Sequence, residues 1–229
     1  MIIEKKGNIF TTKAQTIVNT INCVGVMGAG IAYEFRLRHT DMYKKYVSLC
    51  EEKKIDIGKL WMYKTDANII LNFPTKYHWK YPTKEEYLHL GLQKFLDTYK
   101  QKGIISVAFP LLGASHGGLS EEKSLSIMMK YLSKCDIDIE IWHFDPSAKD
   151  DLFDQFMELL QENDLQVLKK DTKIRIDILE KIVNASQNPK INSISGLLRI
   201  KGVGDKSLQK LFNFVMKRDK EPTLFDYIT

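Results

Sequence analysis

Twice in this chain an apolar run of strand length ends in a glycine-rich turn that opens straight into a helix. That repeated arrangement limits the possible folds more than any other feature. The first copy is IVNTINCVGVMGAGIAYEF, residues 17–35, and the second is VAFPLLGASHGGLSEEKS, residues 107–124. Glycine tolerates positive φ and lets backbone approach another group closely, while a helix start offers unpaired N–H groups and a positive dipole end. Taken singly, either turn fits an empty strand-to-helix connection as well as a phosphate cradle. Gly25, Gly28 and Gly30 match neither the GxGxxG nor the GxxxxGK[ST] spacing. Two such turns at the carboxyl ends of strands in one sheet would flank a single crevice, where open α/β sheets bind ligands. The pair favours a diphosphate-bearing ligand.

The remaining pattern of the first 145 residues supplies that sheet. Strands are predicted at 2–10, 14–22, 60–65, 68–73, 104–110 and 139–144, with helices at 31–49, 84–101 and 120–134. Strands spaced by helices of this length imply an α/β fold, a mostly parallel sheet covered on both faces. After HFDPSAKD the strand signal stops. Residues 151–169 read as an amphipathic helix, and 172–217 as three or four short helices broken at Asn188, Pro189 and Gly202. The closing EPTLFDYIT has no period and reads as a docked or frayed tail. The boundary is expected between 147 and 165, giving an α/β domain over 1–150 and a small all-α domain over 165–229.

Charge separates the same two pieces. Residues 1–164 hold 21 Lys/Arg against 22 Asp/Glu, whereas residues 165–229 hold 13 against 7, so the tail carries the basic excess of the chain. This suggests a polyanionic partner for the tail, with a solvated lysine-rich helix face as the alternative. At 229 residues and 44% hydrophobic content the chain can build one sizeable core plus an appendage. No stretch approaches the roughly 18 apolar residues of a membrane span, and MIIEKKGNIF is charged where a signal peptide needs an apolar run. A cytoplasmic, membrane-free monomer is expected. Cys23, Cys50 and Cys135 lack CxxC pairing and read as reduced thiols, with Cys23 in a packing role. No cluster calls for a metal, and a pyrophosphate held by backbone amides needs no cofactor.

Between the two turns lies NFPTKYHWK, residues 72–80. A lysine and aromatic rings just outside a strand suit an anionic, ring-bearing substrate, with Lys76 for charge and His78, Trp79 and Lys80 for base contact. Composition alone favours a packed Trp79 and a solvated Lys76 amine.

The order GNI, IVNTIN, VGVMGAGIA and FPLLGASHGGL resembles the macrodomain family over roughly residues 1–145. VNTINCVGVMGAGIAYEFR followed by NFPTKYHWK resembles, more narrowly, the DNA ADP-ribosyl glycohydrolase antitoxins of the DarG type. The terminal ADP-ribose protein glycohydrolases are similar less closely. The resemblance implies a three-layer α/β/α domain with ADP-ribose between the two glycine turns. It places ligand contacts at Asn8, Ile9, Thr20, Asn22, Gly25, Val26, Met27, Gly28, Gly30, Pro74, Gly113, Ala114, Ser115, His116, Gly117, Gly118 and Leu119. Within that set Asn8 and Ile9 correspond to the adenine end, and Asn22 to the distal ribose, with a turn cap as its alternative. The resemblance makes Lys76 the catalytic residue, acting with Asn22. Relatives that cleave protein-linked ADP-ribose carry an aspartate just after the GGL of the second turn, where this chain has Ser120. Glu121, Glu122 or His116 would then supply the proton transfer.

In the tail, SGLLRIKGVGDKSLQKLF resembles a helix-hairpin-helix module. The resemblance implies sequence-independent contact of Lys201, Gly202, Gly204, Lys206 and Lys210 with nucleic-acid phosphates; the alternative is a helical hairpin that only packs or binds protein. The function implied is an ADP-ribosyl glycohydrolase acting on modified DNA bases, of thymidine type, that reverses a cognate DNA ADP-ribosyltransferase toxin. The alternatives are a protein-ester ADP-ribose hydrolase, an ADP-ribose phosphatase, or a non-catalytic reader of ADP-ribosylated nucleic acid.

Overall fold

The structure, a computed structural model, describes residues 1–186, 188 and 191–218. The proposed break at Pro189 and the tail 221–229 lie outside the described residues. The chain divides into two compact units, Met1–Asp145 and from Pro146 onward.

The first unit is built on six strands: β1 (Ile2–Gly7), β2 (Thr16–Asn22), β3 (Trp61–Lys64), β4 (Ile69–Lys76), β5 (Ser106–Pro110) and β6 (Asp138–Phe144). Their spatial order is β1-β6-β5-β2-β4-β3. All neighbours run parallel except β3, which pairs antiparallel with β4 across a tight turn closed by the Thr65 N–H to the Asn68 carbonyl at 2.9 Å. Four helices cover the sheet: α1 (Gly30–Arg38), α2 (Thr40–Glu51), α3 (Glu85–Thr98) and α4 (Glu121–Leu132).

Successive strand residues point to opposite faces, and here both faces are apolar. Ile17 and Ile21 of β2, Ile70 of β4, Ala108 of β5 and Trp142 of β6 form one core with Phe35 of α1 and Met42 and Tyr46 of α2. Val18, Leu71, Phe73, Val107, Phe109, Ile139 and Ile141 face the other way, onto Leu88, Leu92 and Phe95 of α3 and Ile127, Met128 and Leu132 of α4. The result is the expected three-layer α/β/α arrangement with a mixed, mostly parallel sheet. Gly91 sits mid-helix in α3 because a β-carbon there would lie 2.3 Å from the Phe73 ring.

Three local readings need correction. The single helix expected at 31–49 breaks at His39, whose φ and ψ of −130° and 71° fit neither helix. The break turns Arg38 inward, where it pairs with Glu34 at 2.6 Å and lies 4.0 Å over the Phe10 ring. The strand expected to stop at Phe73 continues to Lys76. Pro74 can sit in it because β3 starts opposite Asn72, so only β2 flanks that stretch. The first strand ends at Gly7, and Ile9–Thr11 form a 3₁₀ turn that the Asn8 side chain caps by accepting from Phe10 N–H at 3.0 Å.

The second unit holds α5 (Phe153–Glu162), α6 (Leu165–Thr172), α7 (Ile176–Ser186), a 3₁₀ turn at Ser195–Arg199 and α8 (Asp205–Arg218). The helix expected across 151–169 is two helices. Asp164 starts the second by accepting from the N–H groups of Gln166 and Val167. Phe153, Phe156, Leu159 and Leu160 recur at helical spacing and bury one face of α5. Buried Asp150 ties this unit's start to its middle, accepting from Leu152 N–H at 2.9 Å and Ile194 N–H at 2.7 Å. The helix expected ahead of the Gly-Val-Gly turn is a short 3₁₀ segment. No described helix is long and apolar enough to cross a membrane.

Candidate functional site

The crevice arises from an early parting of two strands. Between β2 and β5 the ladder pairs Thr16 with Val107 and Ile17 with Ala108 and then stops, while β2 stays paired with β4 through Asn22. Above Ile17 and Ala108 the sheet opens, with one glycine turn leaving β2 and the other leaving β5.

The first turn is shaped by Asn22. Its side-chain oxygen accepts from the N–H groups of Val24 (3.0 Å) and Val26 (3.3 Å) and from the Tyr46 hydroxyl (3.0 Å), and its amide donates to the Val26 carbonyl. Tyr46 also lies 2.8 Å from the Asn22 carbonyl, and the Tyr43 hydroxyl reaches the Gly25 carbonyl at 3.4 Å. Asn22 is thus a turn cap in this structure. Burial drives the Tyr46 phenol above its ordinary range, so it stays a donor. Gly25 (φ 79°) and Gly30 (φ 57°) occupy left-handed backbone, but Gly28 does not. Gly25 packs where a β-carbon would stand 3.7 Å from Cys50. Met27 is fully buried and Val26 exposed, so Val26 is the residue of this pair that the turn presents at the surface. Thr20, half-buried in β2, lies below the turn.

The second turn is held together by its own backbone. The N–H groups of Ala114, Gly117, Gly118 and Leu119 all bond to carbonyls within the turn itself, leaving those of Gly113, Ser115 and His116 without a partner among the described residues. Ser115 is held at φ 49°, between Gly113 at 72° and Gly118 at 85°. Gly113 and Gly117 are glycines because of Thr83, which a β-carbon would meet at 2.8 Å and 2.7 Å respectively. Leu119 packs at the margin of the α3/α4 core. The two turns approach each other where a β-carbon on Gly30 would stand 3.2 Å from the His116 ring.

Lys76 stands between them. The β2–β4 register shifts by one residue after Ile21, so Ile21 faces Pro74 and Asn22 faces Lys76. The Lys76 amine donates to the His116 carbonyl in the second turn and lies 3.5 Å from the Trp79 carbonyl. Partial burial lowers its pKa from the ordinary lysine value. Cys23 supports the same strand end, its thiol 3.5 Å from the Lys76 carbonyl. Burial first, then the Asp56 carboxylate, push that thiol up to about 12, so it stays protonated and packs.

Ser120 caps α4, its hydroxyl accepting from Lys123 N–H at 3.2 Å. Glu121 points to His143 at 3.2 Å, while His116 is the proton-transfer candidate whose backbone touches Lys76. Asn8 and Ile9, just after β1, are both buried.

Residues 18–128 match the Macro domain family. The macrodomain of Mycobacterium tuberculosis DarG superposes with a TM-score of 0.60 at 35% identity, covering 62% of this chain and 97% of that one. The chain belongs to the macrodomain family. A DNA ADP-ribosyl glycohydrolase of Thermus aquaticus is 34% identical to this macrodomain protein over 145 residues, which cover 62% of the chain and 40% of the relative. A DNA ADP-ribosyl transferase–glycohydrolase fusion protein of Thermosipho africanus is 31% identical over 156 residues, 60% of this chain and 40% of the relative. The chain thus spans about two fifths of the length of these curated relatives. Macrodomain geometry accounts for the paired turns; Tyr46 and Thr83, which shape them, lie in ordinary helix and loop sequence and carry no motif.

In the second unit, Gly202 has φ 99°, Val203 is buried, and Gly204 starts α8 by accepting from the N–H groups of Ser207 and Leu208. Lys201 and Lys206 are exposed. Lys210 is engaged, its amine donating to the Lys173 carbonyl at the end of α6.

Proposed function

We propose that this protein is an ADP-ribosyl glycohydrolase that releases ADP-ribose from modified DNA bases, of thymidine type, and so reverses a cognate DNA ADP-ribosyltransferase. The observation that carries this reading is the Lys76 amine, set opposite Asn22 by the register shift and bonded across the crevice to the second glycine turn. The names of the relatives that share this macrodomain point to the same chemistry, and the fused transferase in one of them supports a toxin partner.

In this reading the diphosphate lies between the helix start at Gly30 and the unpartnered amides of Ser115 and His116, and adenine lies toward Asn8 and Ile9. The side-chain amide of Asn22 meets a hydroxyl of the distal ribose. The ligand displaces the Lys76 amine from the two carbonyls. The neutral amine, present in larger fraction because burial lowers its pKa, serves as base or nucleophile at the anomeric carbon. That carbon's bond to the base nitrogen breaks; the nitrogen takes the proton that the amine removes from attacking water, or that the amine gives up as it bonds the carbon itself, and the oxygen of water ends on the anomeric carbon of free ADP-ribose. A lysine with the ordinary pKa would instead favour a non-catalytic reader. In the second unit, Lys201, Lys206 and the Gly202–Gly204 turn contact phosphates without regard to sequence.

Incubation with an ADP-ribosylated oligonucleotide and, in parallel, with ADP-ribosylated protein tests the reading. Free ADP-ribose is expected from the oligonucleotide. Release from protein alone would replace this function with a protein-ester hydrolase.

A further inference from the structure

The nine residues that follow the apolar part of β4, KYHWKYPTK, carry three lysines, three aromatic rings plus a histidine, and no acidic residue. The aromatics face solvent: Tyr77 is 59% exposed, Trp79 48% and Tyr81 66%. Large rings are normally buried, and a dense exposed group of them marks a binding surface.

These rings are fixed in place. The His78 ring lies 5.6 Å from Trp79, stacked at 27°, and 5.6 Å from Tyr81. Its Nδ1 accepts from Lys80 N–H at 3.2 Å, and the Tyr81 N–H donates to the His78 carbonyl at 3.2 Å, closing a tight turn. The Lys80 amine sits 5.3 Å from the Trp79 ring centre. Because the Trp79 carbonyl is also within reach of the Lys76 amine, the turn that displays the rings is tied to the reactive group.

We infer that Trp79 and Tyr81 form a stacking platform for the nucleobases flanking the ADP-ribosylated base, with Lys80 beside the strand's phosphates. This rests on the glycohydrolase reading above and adds to it Tyr81, a residue that determines substrate specificity. The enzyme then recognises a strand, not an isolated nucleoside. Positive charge without any acid favours a polyanion over a protein surface, and aromatic faces accept any base.

The test compares hydrolysis, by the full chain, of ADP-ribosyl-thymidine and of a trinucleotide with the modified base at its centre. Wild type and Tyr81→Phe should show a KM about tenfold lower for the trinucleotide, the scale of one stacked base. In Tyr81→Ala that advantage should fall to about twofold or less, with kcat changing less than KM. An undiminished advantage in Tyr81→Ala overturns the inference. Binding of an unmodified labelled trinucleotide, followed by fluorescence anisotropy, needs no turnover: weaker binding by Tyr81→Ala supports the platform, and equal binding overturns it. If wild type hydrolyses neither substrate, the glycohydrolase reading fails and the binding measurement alone decides the platform.

Discussion

Asn22 and Lys76 face each other across β2 and β4 only because the register slips by one residue after Ile21. Without that slip Asn22 would face Thr75, and Lys76 would lie one step beyond the paired strand. Lys76→Ala is therefore expected to bind ADP-ribose with nearly wild-type affinity in calorimetry while losing roughly 10²–10⁴-fold in kcat. In the proposed mechanism the neutral amine is the active form, and its pKa is lowered, so wild-type kcat should rise with pH and level off below the ordinary lysine value. Normal turnover in Lys76→Ala would remove the residue from the mechanism.

Tyr46 is fully buried and its hydroxyl meets both oxygens of Asn22. Tyr46→Phe keeps the ring and removes the donor. A loss of about 1 kcal/mol in denaturant unfolding is expected, together with severalfold weaker ADP-ribose binding as Asn22 loses a fixed orientation. Unchanged affinity would show that the two backbone amides suffice to hold Asn22.

His143 links β6 to β1 through Glu4 at 2.9 Å and to α4 through Glu121 at 3.2 Å. The Glu4 bond, and then Glu121, raise its pKa above the ordinary histidine value. The folded state then holds the proton more tightly than the unfolded state. The stabilisation is complete below about pH 6.5 and is lost as pH climbs through the raised folded value. Melting curves of wild type and His143→Gln between pH 5.5 and 8.5 should converge with rising pH; divergence would contradict this pairing.

The lysines of the second unit are expected to separate by role. Alanine at Lys201 or Lys206 should reduce the slope of log affinity for DNA against log salt by about 0.7–0.9 for each phosphate that is no longer neutralised. Lys210→Ala should leave the slope alone and lower the melting temperature, because its amine holds the end of α6 through the Lys173 carbonyl. A reduced slope in Lys210→Ala would return it to the DNA-facing set.

Local sequence by itself determined the layered fold and the two turns. Near-continuous apolar runs in β2, β4, β5 and β6 require helices on both faces, and the glycines at 25, 30, 113 and 118 answer positive φ values that other residues resist. It also marked Lys76 and the aromatic run after it. Tertiary structure alone decided which amides of the second turn stay free, that Gly113 and Gly117 make room for Thr83, and that Asn22 shapes its own turn under Tyr46. These depend on residues distant in the chain, and on a strand register and an early parting of β2 from β5 that no local pattern encodes. Periodicity reports which face a side chain takes; only packing of the assembled layers sets its partner.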